Sequence, residues 1–196
     1  MSRIVAGSVG GRSIAVPAKG TRPTSDRVRE AIFSRLEHLG VLDGARVLDL
    51  YAGSGALGLE AASRGAAVVT LVDSARAATD VARRNATTLG LTGVRVVTAT
   101  AERHAAGLGP AGLDLVFLDP PYDLAEEALA AVLGHLAAPG VLADGAVVVV
   151  ERSTRTPEPS WPAGMERFAR KDYGETAVYY AEPTADDPDA SDSVSA

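Results

Sequence analysis

Five mostly apolar runs, at 46–50, 68–72, 94–98, 113–118 and 146–151, alternate with helical patterns over about 56–64, 75–90 and 124–137. The runs are continuous in Val and Leu rather than alternating with polar residues, so both faces of each strand need cover. Strands and helices in alternation then predict an α/β fold, a mainly parallel sheet with helices on both faces. Ligands of such sheets bind beyond the carboxyl ends of the strands. Asp49, Asp73 and Asp119 all fall at those ends. One acid there is ordinary; three along one edge mark a site.

The first run continues into a glycine turn and a helix start, Val47-Leu48-Asp49-Leu50-Tyr51-Ala52-Gly53-Ser54-Gly55-Ala56-Leu57-Gly58-Leu59-Glu60. Gly53, Gly55 and Gly58 fit the G-x-G-x-x-G spacing, which permits a tight turn and close approach of backbone N–H groups to a ligand. Asp49 stands four residues before Gly53, and Asp73 twenty residues after it. An acid at Asp73 can accept hydrogen bonds from two ribose hydroxyls. A ligand with a ribose and a positively charged amino acid end suits both carboxylates. S-adenosylmethionine is such a ligand; NAD, with its pyrophosphate, matches Asp49 less well.

The run Asp114-Leu115-Val116-Phe117-Leu118 ends in Asp119-Pro120-Pro121-Tyr122. This D-P-P-Y pattern is similar to the [D/N]-P-P-[Y/F/W] motif of methyltransferases that act on exocyclic or amide nitrogens. An aromatic amine is a poor nucleophile because its lone pair is delocalised into the ring. Accepting its N–H bonds with the Asp119 carboxylate and the Pro120 carbonyl favours pyramidalisation and aims the lone pair. Proline has no competing N–H and stiffens the loop beforehand. Tyr122 offers a face for stacking an extruded base.

The chain has 196 residues, 46% of them hydrophobic, enough for one domain with a full core. It has no cysteine, which excludes disulfides, thiolate nucleophiles and cysteine metal sites. His38, His104 and His135 have no metal-ligand spacing, so no metal is expected. No apolar run reaches the length of a membrane span and no signal-peptide core is present, so a cytoplasmic protein without a membrane partner is expected. The net charge of −6 is unevenly divided. Residues 1–35 hold seven basic and two acidic side chains, residues 36–181 twelve and eighteen, and residues 182–196 five acids alone. A basic arm on an acidic body suggests a local polyanion contact.

Within that arm, Ile4-Val5-Ala6 and Ser13-Ile14-Ala15-Val16 flank Gly7, Gly10 and Gly11 and predict a hairpin. A loop from Pro17 to Pro23 follows. Thr24-Ser25-Asp26 offers N-cap candidates for a helix to about Leu39, with Val28, Ala31, Ile32, Leu36 and Leu39 on its inner face. That spacing sends Arg22, Arg27 and Arg29 toward solvent or a ligand.

Taken together, the chain to about residue 181 resembles the RsmD family of bacterial 16S rRNA guanine-N2 methyltransferases. The resemblance lies in Arg3-Ile4-Val5-Ala6-Gly7, in Arg22-Pro23-Thr24-Ser25-Asp26-Arg27-Val28-Arg29-Glu30-Ala31-Ile32-Phe33, in Leu48–Glu60, in Asp119–Tyr122 and in Lys171-Asp172-Tyr173-Gly174-Glu175-Thr176. The second stretch discriminates, since DNA adenine methyltransferases share the core motifs but not that arm. The resemblance implies a class I S-adenosylmethionine-dependent methyltransferase fold, Rossmann-like, with a seven-stranded mostly parallel sheet and an antiparallel edge. It implies an N-terminal hairpin and helix over 1–40 that bind RNA, a methyltransferase domain over 41–181, and a disordered acidic tail over 182–196. It places the cofactor on Asp49, Tyr51, Ala52, Gly53, Ser54, Gly55, Gly58, Asp73, Ser74, Ala101 and Glu102, with S-adenosylhomocysteine as product. Family members often carry Glu at the position of Asp73, and the shorter acid can still chelate two hydroxyls; many carry an acid near Ala101, where only Glu102 is acidic here. The reaction falls to Asp119, Pro120, Pro121 and Tyr122, and the RNA contact to Arg3, Arg12, Lys19, Arg22, Arg27, Arg29, Lys171 and Tyr173. The implied substrate is a guanine of 16S rRNA within assembled or assembling small subunits, methylated by a monomer. The alternatives are an adenine-N6 methyltransferase of DNA or RNA, an NAD-dependent oxidoreductase, and an RNA-binding module without catalysis.

Overall fold

The hairpin expected of the arm is short because its chain is soon claimed by other partners. In the computed structural model, which describes residues 2–16 and 25–184, β1 (Ser2–Arg3) pairs antiparallel with β2 (Ser13–Ile14). The pairing extends only to Ile4, whose N–H donates to the Arg12 carbonyl at 2.9 Å. Val5 and Ala6, expected as strand, instead donate their N–H groups to the two carboxylate oxygens of Glu60 at 2.7 and 3.0 Å. The predicted loop and the Thr24 capping candidate lie outside the described residues. Helix α1 (Asp26–Leu39) is capped by the Ser25 hydroxyl, which accepts from the Val28 N–H, and stops at Gly40 in the left-handed conformation at φ 72°. Its buried face is Val28, Arg29, Ile32, Phe33 and Leu36; Ala31 is only half-buried and Leu39 is exposed.

Strands β3 (Arg46–Leu50), β4 (Val68–Asp73), β5 (Val94–Thr98), β6 (Leu113–Leu118) and β7 (Leu142–Ser153) alternate with α2 (Ala56–Ser63), α3 (Arg76–Leu89), α4 (Ala101–Ala106) and α5 (Glu126–Leu136). The chain ends in β8 (Met165–Tyr173) and β9 (Thr176–Pro183), a hairpin turning at Gly174-Glu175. The sheet order is β5-β4-β3-β6-β7-β9-β8, with the first five strands parallel and β9 antiparallel to both β7 and β8. This is the expected seven-stranded sheet with an antiparallel edge. The order reverses between β3 and β6, which places the carboxyl ends of β4, β3 and β6 side by side. Glu182 and Pro183 belong to β9, so the strand runs past the boundary expected at 182, and residues 185–196 lie outside the described residues. Among the described residues no helix is long and apolar enough to cross a membrane.

The continuous Val/Leu runs feed two cores. Val47, Leu71, Leu115, Phe117 and Val149 pack with α1, α2 and α3 on one face, while Leu48, Leu50, Val116, Leu118, Val148 and Val150 pack with α4 and α5 on the other. Burying each such side chain contributes roughly 1.5–3 kcal/mol relative to exposure. Ile4 and Ile14 join the first core, so the arm is packed into the body rather than hung from it.

Charge seals that attachment. Glu60 and Arg29 are both fully buried, with Arg29 Nε 3.7 Å from Glu60 Oε2. Arg29 also donates to Asp26 Oδ1 at 2.7 Å, to Ser2 Oγ at 3.1 Å and to the Arg3 carbonyl. Arg64 Nε donates to Glu60 at 2.8 Å. On the neighbouring turn, Ser63 Oγ donates to the Ala6 carbonyl at 2.6 Å and accepts from the Val9 N–H at 3.1 Å. Gly7 passes so close that a Cβ there would lie 2.0 Å from the Ser63 carbonyl oxygen.

Candidate functional site

Asp49 sits on β3, one residue before its end, and is 1% exposed. Its Oδ2 accepts the Gly58 N–H at 2.9 Å, while its Oδ1 is buried without a hydrogen-bond partner. Burial is the chief cause of a pKa raised to about 8; the Gly58 N–H opposes the rise, and the charges of Asp119 and Asp73 add to it. Gly58 makes the contact possible. A Cβ there would lie 2.2 Å from Leu71 Cδ2 and 3.2 Å from Asp49 Oδ2, so a side chain would lift α2 off the sheet.

Asp73, at the end of β4, is fixed by two backbone donors. Its Oδ2 accepts from Gly53 at 2.9 Å and its Oδ1 from Ala75 at 2.8 Å. The first of these draws the glycine loop toward the acid. That loop is tight: Tyr51 has a left-handed φ of 62°, a conformation strained for a bulky residue, and Gly55 donates to the Ala52 carbonyl at 2.7 Å. The Tyr51 phenol is pushed upward in pKa by burial and by Glu102, against the opposing charge of Arg152.

The D-P-P-Y segment follows β6 and closes as a turn, with the Leu124 N–H donating to the Pro121 carbonyl at 3.0 Å. Tyr122, at its corner, is 61% exposed, whereas Pro120 is buried. The turn is held from behind by Arg152 of β7, which is 6% exposed and donates to the Leu124 carbonyl at 3.2 Å.

These pieces enclose one cleft of about 630 Å³. Asp49, Tyr51, Ala52, Gly53, Ser54, Asp73, Ser74, Ala101 and Glu102 line it together with Asp119, Pro120, Pro121 and Tyr122. Two expected cofactor residues do not line it. Gly55 and Gly58 lie behind the loop, where a Cβ on Gly55 would come within 2.8 Å of Leu71 Cδ1; they shape the turn instead of facing the cleft. Seven lining residues escaped sequence reasoning, Ala56, Asp123 and Ala128 among them. Leu57 and Leu124 supply apolar wall, Val16 extends the arm into the cleft, and Thr100 caps α4 by accepting from the Arg103 N–H. Thr100 had a readable signal, a capping residue just before a short helix. Leu57, Leu124 and Val16 had none, because an apolar residue beside a strand end reads as core.

The basic residues separate into different roles. Arg29, expected at the RNA surface, is buried in the Glu60 network, because a buried carboxylate requires a paired cation. Arg12 donates to the Thr88 and Leu89 carbonyls and so closes the end of α3. Arg3 pairs with Asp26 at 3.0 Å, with its side chain 63% exposed. Arg27 and Lys171 are exposed, while Tyr173 is half-buried against the first core. Lys19 and Arg22 lie outside the described residues.

The family model described as conserved hypothetical protein 95 matches residues 2–182. Ribosomal RNA small subunit methyltransferase D of Escherichia coli strain K12 is 40% identical over 178 residues, covering 89% of this chain and 86% of its own. The solved structure of yhhF from Escherichia coli matches with a TM-score of 0.82 and 38% identity, covering 94% of this chain and 98% of that one. The Thermus thermophilus protein TTHA0928 matches with a TM-score of 0.75 and 33% identity, covering 92% of this chain and 98% of its own.

Proposed function

The chain belongs to the family described as conserved hypothetical protein 95, the RsmD family, and on that premise we propose that it is an rRNA methyltransferase. In this reading it transfers a methyl group from S-adenosylmethionine to the exocyclic N2 of a guanine in 16S rRNA, presented by the small ribosomal subunit. The observation that carries the reading is that the acid-lined glycine loop and the D-P-P-Y turn border a single cleft.

The residues present suit the cofactor. Asp49 Oδ1 is a buried acceptor without a partner, and a positively charged amino group would satisfy it and stabilise its ionised form. Asp73 is held by Gly53 and Ala75, and each of its oxygens keeps a lone pair for a ribose hydroxyl. Ala101 and Glu102, at the start of α4, border the same space. Bound there, S-adenosylmethionine would supply an electrophilic methyl group on a sulfonium centre.

The D-P-P-Y turn does the rest. The Asp119 carboxylate and the Pro120 carbonyl accept the two N–H bonds of the guanine amine and direct its lone pair at the methyl carbon. The amine would give up one proton on methylation, and the Asp119 carboxylate or water would take it. Tyr122, exposed at the corner, stacks on the extruded base. Arg152, by holding the Leu124 carbonyl, keeps the turn from shifting.

The test is methyl transfer from labelled S-adenosylmethionine to naked 16S rRNA, small subunits and 70S ribosomes, followed by mapping of the modified base. Label on one guanine N2, strongest on small subunits, is the expected result. Label on adenine N6 would move the enzyme to the alternative amine substrate, and absence of label on any RNA would refute the reading.

A further inference from the structure

Asn85 lies on the inner face of α3, where the helical period calls for an apolar residue. Its neighbours on that stripe are Ala78, Val81, Ala82, Ala86 and Leu89, and it is itself 4% exposed. A buried amide is costly unless every polar group is matched. Here the matching is complete and joins two distant segments. Oδ1 accepts the Ala15 N–H at 2.9 Å, and Nδ2 donates to the Ala15 carbonyl at 2.9 Å and to the Ser54 carbonyl at 3.0 Å. The two bonds to Ala15 imitate a neighbouring strand and hold the backbone just past β2. The third bond grips the glycine loop. Ser54 lines the cleft, and so does Val16, the residue after Ala15.

We infer that Asn85 is a positioning residue that ties the cofactor loop to the basic arm, so that cofactor and RNA bind cooperatively. The inference rests on the reading of the cleft given above. A ligand that orders Ser54 also orders Ala15 and Val16 through one rigid amide, so the second ligand meets an arm already fixed. Neither aspartate nor alanine serves equally. Aspartate keeps the acceptor for the Ala15 N–H but sets a carboxylate against the carbonyls of Ala15 and Ser54. Alanine leaves all three backbone groups without their partner.

The experiment measures small-subunit affinity of the full chain with and without saturating S-adenosylhomocysteine, in wild type, Asn85→Ala and Asn85→Asp. Wild type should bind small subunits about fivefold or more tightly with the ligand present. In both variants that factor should fall to near one, while affinity for S-adenosylhomocysteine itself changes only a few-fold. A merely structural residue would lower both affinities and leave the factor intact, which would overturn the inference. Hydrogen exchange on wild type guards against variants that fail to fold. S-adenosylhomocysteine should slow exchange of the Ala15 and Val16 amides as well as those of the glycine loop, and protection of the loop alone would also overturn the inference. Wild type that binds the ligand without any coupling refutes the inference and spares the proposed function. Wild type that does not bind it refutes both.

Discussion

At Asp49, burial and the neighbouring acids both favour the neutral carboxyl, while the proposed ligand favours the carboxylate. Its pKa of about 8 lies above the ordinary value of 3.8, so the folded protein holds a proton that the unfolded chain releases. The stability linked to this group is fully present below about pH 4 and is lost as pH rises through about 8. Ligand binding has the opposite slope, because a cationic amino group pairs with the ionised form. Affinity for S-adenosylhomocysteine should therefore rise with pH, approaching tenfold per unit below about 8, and flatten above it. Titration calorimetry across that range checks this. Asp49→Asn should remove the slope and weaken binding throughout, and an unchanged slope would mean that another group sets it. The proposed chemistry makes a separate demand on Asp119, whose alignment would matter most in the transition state. Asp119→Ala should lower single-turnover methyl transfer at least about a hundredfold and change S-adenosylhomocysteine affinity much less. Near-normal turnover would remove Asp119 from the chemistry.

Among the elements, α1 and the short hairpin are tied to α2 by the buried Arg29–Glu60 contact, beside the pairs that Arg64 makes with Glu30 and Glu37. Arg29→Ala removes one of the two cations beside the fully buried Glu60 carboxylate, together with the donor to Ser2, Asp26 and the Arg3 carbonyl, and should cost about 3 kcal/mol in denaturant unfolding. Arg27→Ala, two residues earlier on the exposed side of the same helix, should stay within about 0.5 kcal/mol. Equal losses from the two would contradict the buried network. This pair of arginines also marks what the sequence could reveal. The period of α1 was readable, and so were the parallel strands and the capping serine, while the sheet's antiparallel edge followed only from the family resemblance. That one arginine points inward was not, because its partner Glu60 lies 31 positions away on another helix and reads from the sequence as a helix-surface acid. Helix α4 was also missed; at six residues it is too short to show a period. Strand β7 begins four residues before its apolar run, since pairing of Leu142 with Leu113 needs no apolar pattern. The candidate site was legible where polar residues stand at strand ends, as at Asp49, Asp73 and Asp119. It was obscure where apolar residues form the wall or where Asn85 hides on a buried stripe.

Across the whole molecule, a net charge of −6 has to be reconciled with a polyanionic substrate. The basic surplus of the arm overstates what is free to meet phosphate. Arg29 is buried, Arg12 is committed to the end of α3, and Arg3 is paired with Asp26. Among the described residues expected to touch RNA, Arg27 and Lys171 are exposed and carry positive charge. Lys171 stands on the edge strand β8, two residues before Tyr173 and close to the turn of the last hairpin. Phosphate contacts of this kind position the RNA and carry little sequence information, so in the proposed reading base selection falls to the cleft. Reversing both charges, Arg27→Glu with Lys171→Glu, should weaken small-subunit binding strongly at low salt. Each lost phosphate contact removes roughly 0.7 from the slope of log affinity against log salt, so the double variant should flatten it by roughly 1.4. Affinity for S-adenosylhomocysteine should not move, since neither residue lines the cleft. Binding measured from low to moderate salt decides the matter. A slope unchanged by the double reversal would mean that neither side chain meets phosphate, and that the acidic body holds its RNA through other cations.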